Sequence, residues 1–162
     1  MPVTKTVDRS AQIFAAANAL TKLKAYVGIP ADAQARQPDG AEEAQPPSNA
    51  VIGYRLETGD PETNLPARPF LHPGVEAAMP QITPRLQKMG AAAIQGDLGA
   101  IQKGLEAVGL IGQNAVRAQI TDGTFAPLSE RTIKARQARG RTGQKPLIDT
   151  GQLRNSITYV VK

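Results

Sequence analysis

The stretch Pro146-Leu147-Ile148-Asp149-Thr150-Gly151-Gln152-Leu153-Arg154-Asn155-Ser156-Ile157-Thr158-Tyr159-Val160-Val161 decides how the fold is to be read. It opens with turn and cap residues, continues as a short helical turn, and closes in the β-branched and aromatic run of a strand. Asp149 or Thr150 is placed as a structural cap, accepting a hydrogen bond from a free backbone N–H at the start of the turn. Leu153 and Ile157, four apart, then face the core together. The same residues admit an enzymatic reading, because an aspartic protease presents each of its paired carboxylates on two apolar residues followed by Asp-Thr-Gly. That chemistry needs several strands after the loop, whereas eleven residues follow Gly151, which favours the cap.

Working back from this ending, Ser129 caps a basic helix from Glu130 to about Arg139, and Gly140-Arg141-Thr142-Gly143-Gln144-Lys145 reads as a basic, flexible, hairpin-like loop. Glycines beside a lysine suggest a phosphate cradle, but the spacing is wrong for a P-loop and no apolar strand precedes it. From Ser129 onward the bases Arg131, Lys134, Arg136, Arg139, Arg141, Lys145, Arg154 and Lys162 face only Glu130 and Asp149. Between Pro30 and Leu65 the balance reverses, with seven acids against Arg36 and Arg55. Opposed segments of this kind suit head-to-tail contact between copies, a basic wall near DNA, or two solvated surfaces without a partner.

The central region predicts one long helix from Asp97, its N-cap. Leu98, Ile101, Leu105, Val108, Gly112, Ala115 and Gln119 recur at 3/4 spacing, with Ile111, Val116 and Ile120 beside them. Gly99, Gly104, Gly109 and Gly112 interrupt it at a cost of up to about 1 kcal/mol each, which either a close helix neighbour or flexibility would explain. Before it, Pro80 and Pro84 predict a short helix that stops before a second one carrying Ile82, Leu86, Met89 and Ile94. A first helix is expected from Val7 to about Lys22 on a stripe of Val7, Ala11, Phe14 and Ala17 widened by Ile13 and Leu20, followed by a strand over Leu23–Ile29.

Ala31–Pro47 holds no large apolar side chain and is expected to be a mobile loop. Ser48 caps a helix that Gly59 ends in the left-handed conformation, and Asp60-Pro61-Glu62 forms a turn. Asn64-Leu65-Pro66-Ala67-Arg68-Pro69-Phe70-Leu71-His72-Pro73 then reads as a rigid extended arm anchored by Phe70 and Leu71. The whole is a single α+β domain, a small sheet packed on a long helix with several shorter ones.

With 162 residues and no cysteine, the chain can bury about two-thirds of its unfolded surface without disulfides. Thiolate metal sites and cysteine nucleophiles are excluded, and the single His72 excludes a multi-histidine cluster. His72 has no partner serine, cysteine or paired carboxylate at a readable spacing, so a packed or surface histidine is expected rather than a general base. No cofactor is implied. The absence of tryptophan and the few aromatics weaken any base-stacking role. Neither a secretory signal nor a membrane span is expected, and synthesis is expected in the cytosol.

Three segments stand in order: Leu65-Pro66-Ala67-Arg68-Pro69-Phe70-Leu71 after Gly59-Asp60-Pro61; Phe125-Ala126-Pro127-Leu128-Ser129 with Thr132-Ile133-Lys134-Ala135-Arg136; and Pro146 to Ile157. Together they resemble the tail-completion and head-tail joining (neck) proteins of tailed bacteriophages, including the related Mu-like virion morphogenesis proteins, over most of the chain from Ser48. The resemblance implies a non-catalytic virion subunit of α+β fold. It implies a homo-oligomeric ring, commonly of six, between tail tube and head, with the tail tube or tail terminator and the head-tail connector as partners. In such a ring Arg68, Pro69, Phe70 and Leu71 are candidate subunit contacts. Arg131, Lys134, Arg136, Arg139, Arg141 and Lys145 are candidates to face genomic DNA in the lumen and meet phosphates without reading sequence. The alternative is a basic protein that binds nucleic acid nonspecifically.

Overall fold

The computed structural model describes residues 8–31 and 47–162. Their elements run α1 (Ser10–Lys22), β1 (Ala25–Gly28), α2 (Asn49–Thr58), a 3-10 turn (Pro61–Thr63), α3 (Leu71–Ile94), α4 (Gly99–Asp122), α5 (Glu130–Ala138), α6 (Gln152–Ser156) and β2 (Thr158–Val161). The expected α+β architecture is what forms. The loop expected over Ala31–Pro47 and the Val7 start of the first helix fall largely outside the described residues.

The long helix follows its spacing. Ile101, Leu105, Val108, Gly112, Val116 and Ile120 of α4 are all buried, while Leu98 stays exposed. The Asp97 carboxylate accepts from the backbone N–H of Ala100 at 3.1 Å, so it caps the first turn as expected. α3 lies along α4 and buries Gly74, Ala78, Ile82 and Ala93.

Here the proline reading is corrected, because α3 is one unbroken helix of 24 residues with Pro80 and Pro84 inside it. Glu76, Pro80 and Pro84 are four apart and all exposed. The carbonyls that lose an N–H partner to the proline rings therefore lie on the solvent side, where water replaces the missing bond.

The strands form a two-stranded antiparallel sheet in which Ala25 pairs with Val161 and Val27 with Tyr159. Those four residues share the face turned to α4, and two of its glycines, Gly109 and Gly112, lie under them, whereas Gly104 faces the Met89 side chain of α3. A Cβ on Gly112 would come within 2.9 Å of Val27 Cγ2, and one on Gly109 would run into the Tyr159 ring. The missing side chains are the groove in which the sheet lies. Close approach to a helix backbone occurs at Gly74 instead, where a Cβ would sit 2.7 Å from Val116 Cα.

α1 contributes Ala16, fully buried with Ala93, Ile101 and Leu105, and Ala19 and Leu20 pack beside them. Phe14 and Ile13 point outward, with Phe14 71 % exposed. The expected stripe is thus displaced: alanine lets two helix backbones close up, and the larger side chains are left on the far face.

Candidate functional site

The three segments that carry the resemblance meet in one place. The arm from Pro66 is short, since α3 begins at Leu71, and it turns inward rather than projecting. Phe70 is buried with Val116, Ile120, Leu147, Leu153 and Ile157, and Phe125 and Ile148 pack against this cluster. Arg68, 4 % exposed, donates from Nε to the Ala126 carbonyl and from Nη2 to the Pro127 carbonyl, both at 2.8 Å. Of the four arm residues expected as subunit contacts, Arg68 and Phe70 are therefore engaged within their own chain. Pro69 is exposed and Leu71 half-buried.

Glu57, at the end of α2, fixes the arm's exit. Its carboxylate accepts from the backbone N–H groups of Phe70, Leu71 and His72 at 2.7, 2.9 and 3.1 Å. These are unpaired donors at the start of α3, whose own N-cap, Phe70, has no side-chain acceptor. Sequence reasoning missed Glu57; the one signal was a helix starting Leu-His-Pro with no Ser, Thr, Asp or Asn before it. Upstream, Ser48 caps α2 through Val51 N–H, and Gly59 takes the expected positive φ of 77°, though with extended ψ. His72 is exposed beside Glu76.

Arg136 organises the next layer. It is 8 % exposed on α5 and donates to the carbonyls of Gly143, Lys145 and Ile148 at 2.9, 2.9 and 3.0 Å. Its Nε lies 3.6 Å from an Asp149 oxygen, while Arg141 Nη1 bonds the other carboxylate oxygen at 2.7 Å. The segment from Gly140 to Lys145, expected to be flexible, is therefore wound around a guanidinium. Asp149 does not cap α6; it neutralises two arginines. Nor does Thr150 stand at the cap: the N-cap of α6 is Gly151, in the left-handed conformation and without a capping side chain, and the Thr150 hydroxyl, one residue earlier, accepts from the Gln152 N–H at 3.4 Å. Leu153 and Ile157 are both buried as expected.

The six basic residues expected to line a lumen consequently divide. Arg131, Lys134 and Arg139 are exposed along α5, and Lys145 is exposed while its ammonium donates to the Thr121 carbonyl at 2.8 Å. Arg136 is buried and Arg141 is paired with Asp149, so neither belongs to a solvent-facing basic wall.

Burial, and after it the charge of Arg136, push the Arg68 guanidinium below its usual pKa. Asp60 is also lowered, which for a carboxylate favours the charged form: hydrogen bonds from Arg55 and then Thr63 hold it below its ordinary value. Among the described residues no cluster of three or more His, Cys, Asp or Glu could hold a metal ion, and no helix is long and apolar enough to cross a membrane. No family model, no curated protein and no solved structure matches the chain.

Proposed function

We propose that this chain is a structural virion subunit that assembles into a ring, of six copies, at the head-tail junction of a tailed bacteriophage, where it completes the tail and permits joining to the head. The observation that carries the reading is the convergence just described. The first of the segments that resemble the tail-completion family ends more than fifty residues before the second begins, yet Arg68, Phe70, Phe125, Ala126, Leu147, Leu153 and Ile157 lie in one connected unit.

The surface supports assembly. Phe14, Tyr26 and Tyr54 are more than half exposed, and Val51, Met79, Ile94, Leu98 and Leu110 are nearly so. Apolar side chains in such numbers on a small subunit suit contacts with other chains. Among the described residues the sheet has two strands, so β1 and β2 each keep an outer edge without a strand partner. Particles made without the chain should accumulate as filled heads and separate tails, and adding the purified protein should restore joined particles. Joined, infectious particles lacking it would overturn the proposal.

A second reading has its own support in the exposed Arg131, Lys134 and Arg139 on one short helix. A free protein using them to bind nucleic acid nonspecifically would lose affinity steeply with added salt.

A further inference from the structure

Between α2, the arm before α3 and the first turn of α5 lies an open cleft of about 800 Å³. Among the described residues its charged lining consists of Arg55, Arg68, Arg131 and Arg136, with no aspartate or glutamate. Arg55 is paired with Asp60, Arg136 approaches Asp149, and Arg131 stands in water.

Arg68 is different. It is almost wholly buried, and among the described residues its hydrogen-bond partners are the two uncharged carbonyls of Ala126 and Pro127. A carbonyl dipole satisfies a donor without neutralising its charge, and a buried charge left uncompensated is costly. Arg136, on the wall of the same cleft, adds repulsion. The N-terminal end of α5, with Ser129 and Thr132 on the wall, contributes the positive end of a helix dipole. The charged side chains lining this space are all cations, and the helix terminus adds to them.

The uncharged walls select which anion. Ile52, Leu56, Leu65, Pro127, Leu128 and Pro146 surround the arginines. A duplex backbone keeps its phosphates hydrated and meets exposed cations, whereas an arginine set deep behind apolar walls suits a carboxylate on a short side chain with apolar neighbours. We propose that the cleft is the docking site for an acidic peptide segment of a partner protein, which places one Asp or Glu carboxylate against Arg68. Arg131 meets it at the rim, and flanking apolar side chains pack on Leu56 and Leu128. The planar guanidinium matches a carboxylate with paired hydrogen bonds, and the volume is that of an ordinary ligand site. The cleft belongs to one chain, so the inference stands or falls separately from the ring.

The test is calorimetric titration of the intact protein with a blocked nine-residue peptide holding one central glutamate between leucines and prolines. Its glutamine counterpart, inorganic phosphate and a short DNA duplex are run alongside. The glutamate peptide should saturate, bind at least about tenfold more tightly than the glutamine peptide, and weaken by a similar factor in Arg68→Met with native circular dichroism. Arg131→Gln, exposed and outside the core, should weaken it about threefold and covers the case in which Arg68→Met does not fold. Equal binding of the two peptides, indifference to both substitutions, or binding of phosphate or duplex in place of the glutamate peptide would overturn the proposal.

Discussion

The region where α3, α4 and the sheet meet and the region where α2, the arm, α5 and α6 meet are held by different forces. The first is apolar contact shaped by missing side chains: Gly74 against the Val116 backbone, Gly109 and Gly112 under Tyr159 and Val27. The second is short irregular chain tied by long polar side chains, with Glu57 gathering three N–H groups, Arg68 two carbonyls and Arg136 at least three. Regular elements satisfy their own backbone, so packing suffices to hold them. Segments that are neither helix nor strand leave backbone groups over, and buried charged side chains take them up.

Substitutions can break this contrast in order of effect. Phe70→Ala removes the largest fully buried side chain, which packs with residues of both regions, and should cost about 4 kcal/mol in denaturant unfolding, with a single transition retained. A loss below about 1 kcal/mol would mean that the two regions are not joined through it. Arg136→Met should cost about 3 kcal/mol, since Asp149 keeps Arg141 but the carbonyls of the 143–148 segment lose their donor. Hydrogen exchange should show the loss concentrated in that segment and α6, with α3 and α4 protected to the global limit; uniform loss of protection would contradict the division. Gly74→Ala, on the other side, should cost about 2 kcal/mol by forcing α3 off α4, and should lower protection in both helices together.

The smallest effect concerns pH. The Asp60 carboxyl is held below its ordinary value of 3.8 by Arg55, so the unfolded chain takes up that proton first as pH falls. The contribution is complete above the unfolded value and disappears as pH drops through the lower folded one. Asp60→Asn should flatten that part of the acid limb of a stability curve. Superimposable acid limbs for the two proteins would show that the pair stabilises nothing.

This contrast also decides what was legible. The 3/4 spacing of α4 was readable because a repeat in side-chain polarity maps directly onto burial, and the strand-forming ending was readable from Thr158-Tyr159-Val160-Val161 in the same way. The bonds of Arg68, Glu57 and Arg136 were not, because their partners are backbone groups that every residue type carries. Nothing in a sequence marks the Ala126 carbonyl as an acceptor. Charge counting set Arg136 beside Arg131 and Lys134 as one basic face, whereas its position on the helix buries it among the carbonyls of the following segment. Pro80 and Pro84 misled for a related reason: a proline inside a helix leaves the carbonyl four residues back without its N–H partner, and here those carbonyls face water, which lowers the cost. Sequence reading left two causes open for the α4 glycines, and structure was needed to show Gly109 and Gly112 as seats for Tyr159 and Val27, and Gly104 as the seat for Met89 of α3.

The native mass of the purified chain, measured at physiological and at high salt with negative-stain images of the same sample, bears most directly on its role. An assembly subunit held by apolar surface should give closed rings that persist as salt rises, because burial of Phe14, Tyr26 and Tyr54 between copies is not screened. A monomer in both conditions that binds duplex DNA with an affinity falling steeply in salt would contradict the ring and leave the nucleic-acid reading in its place.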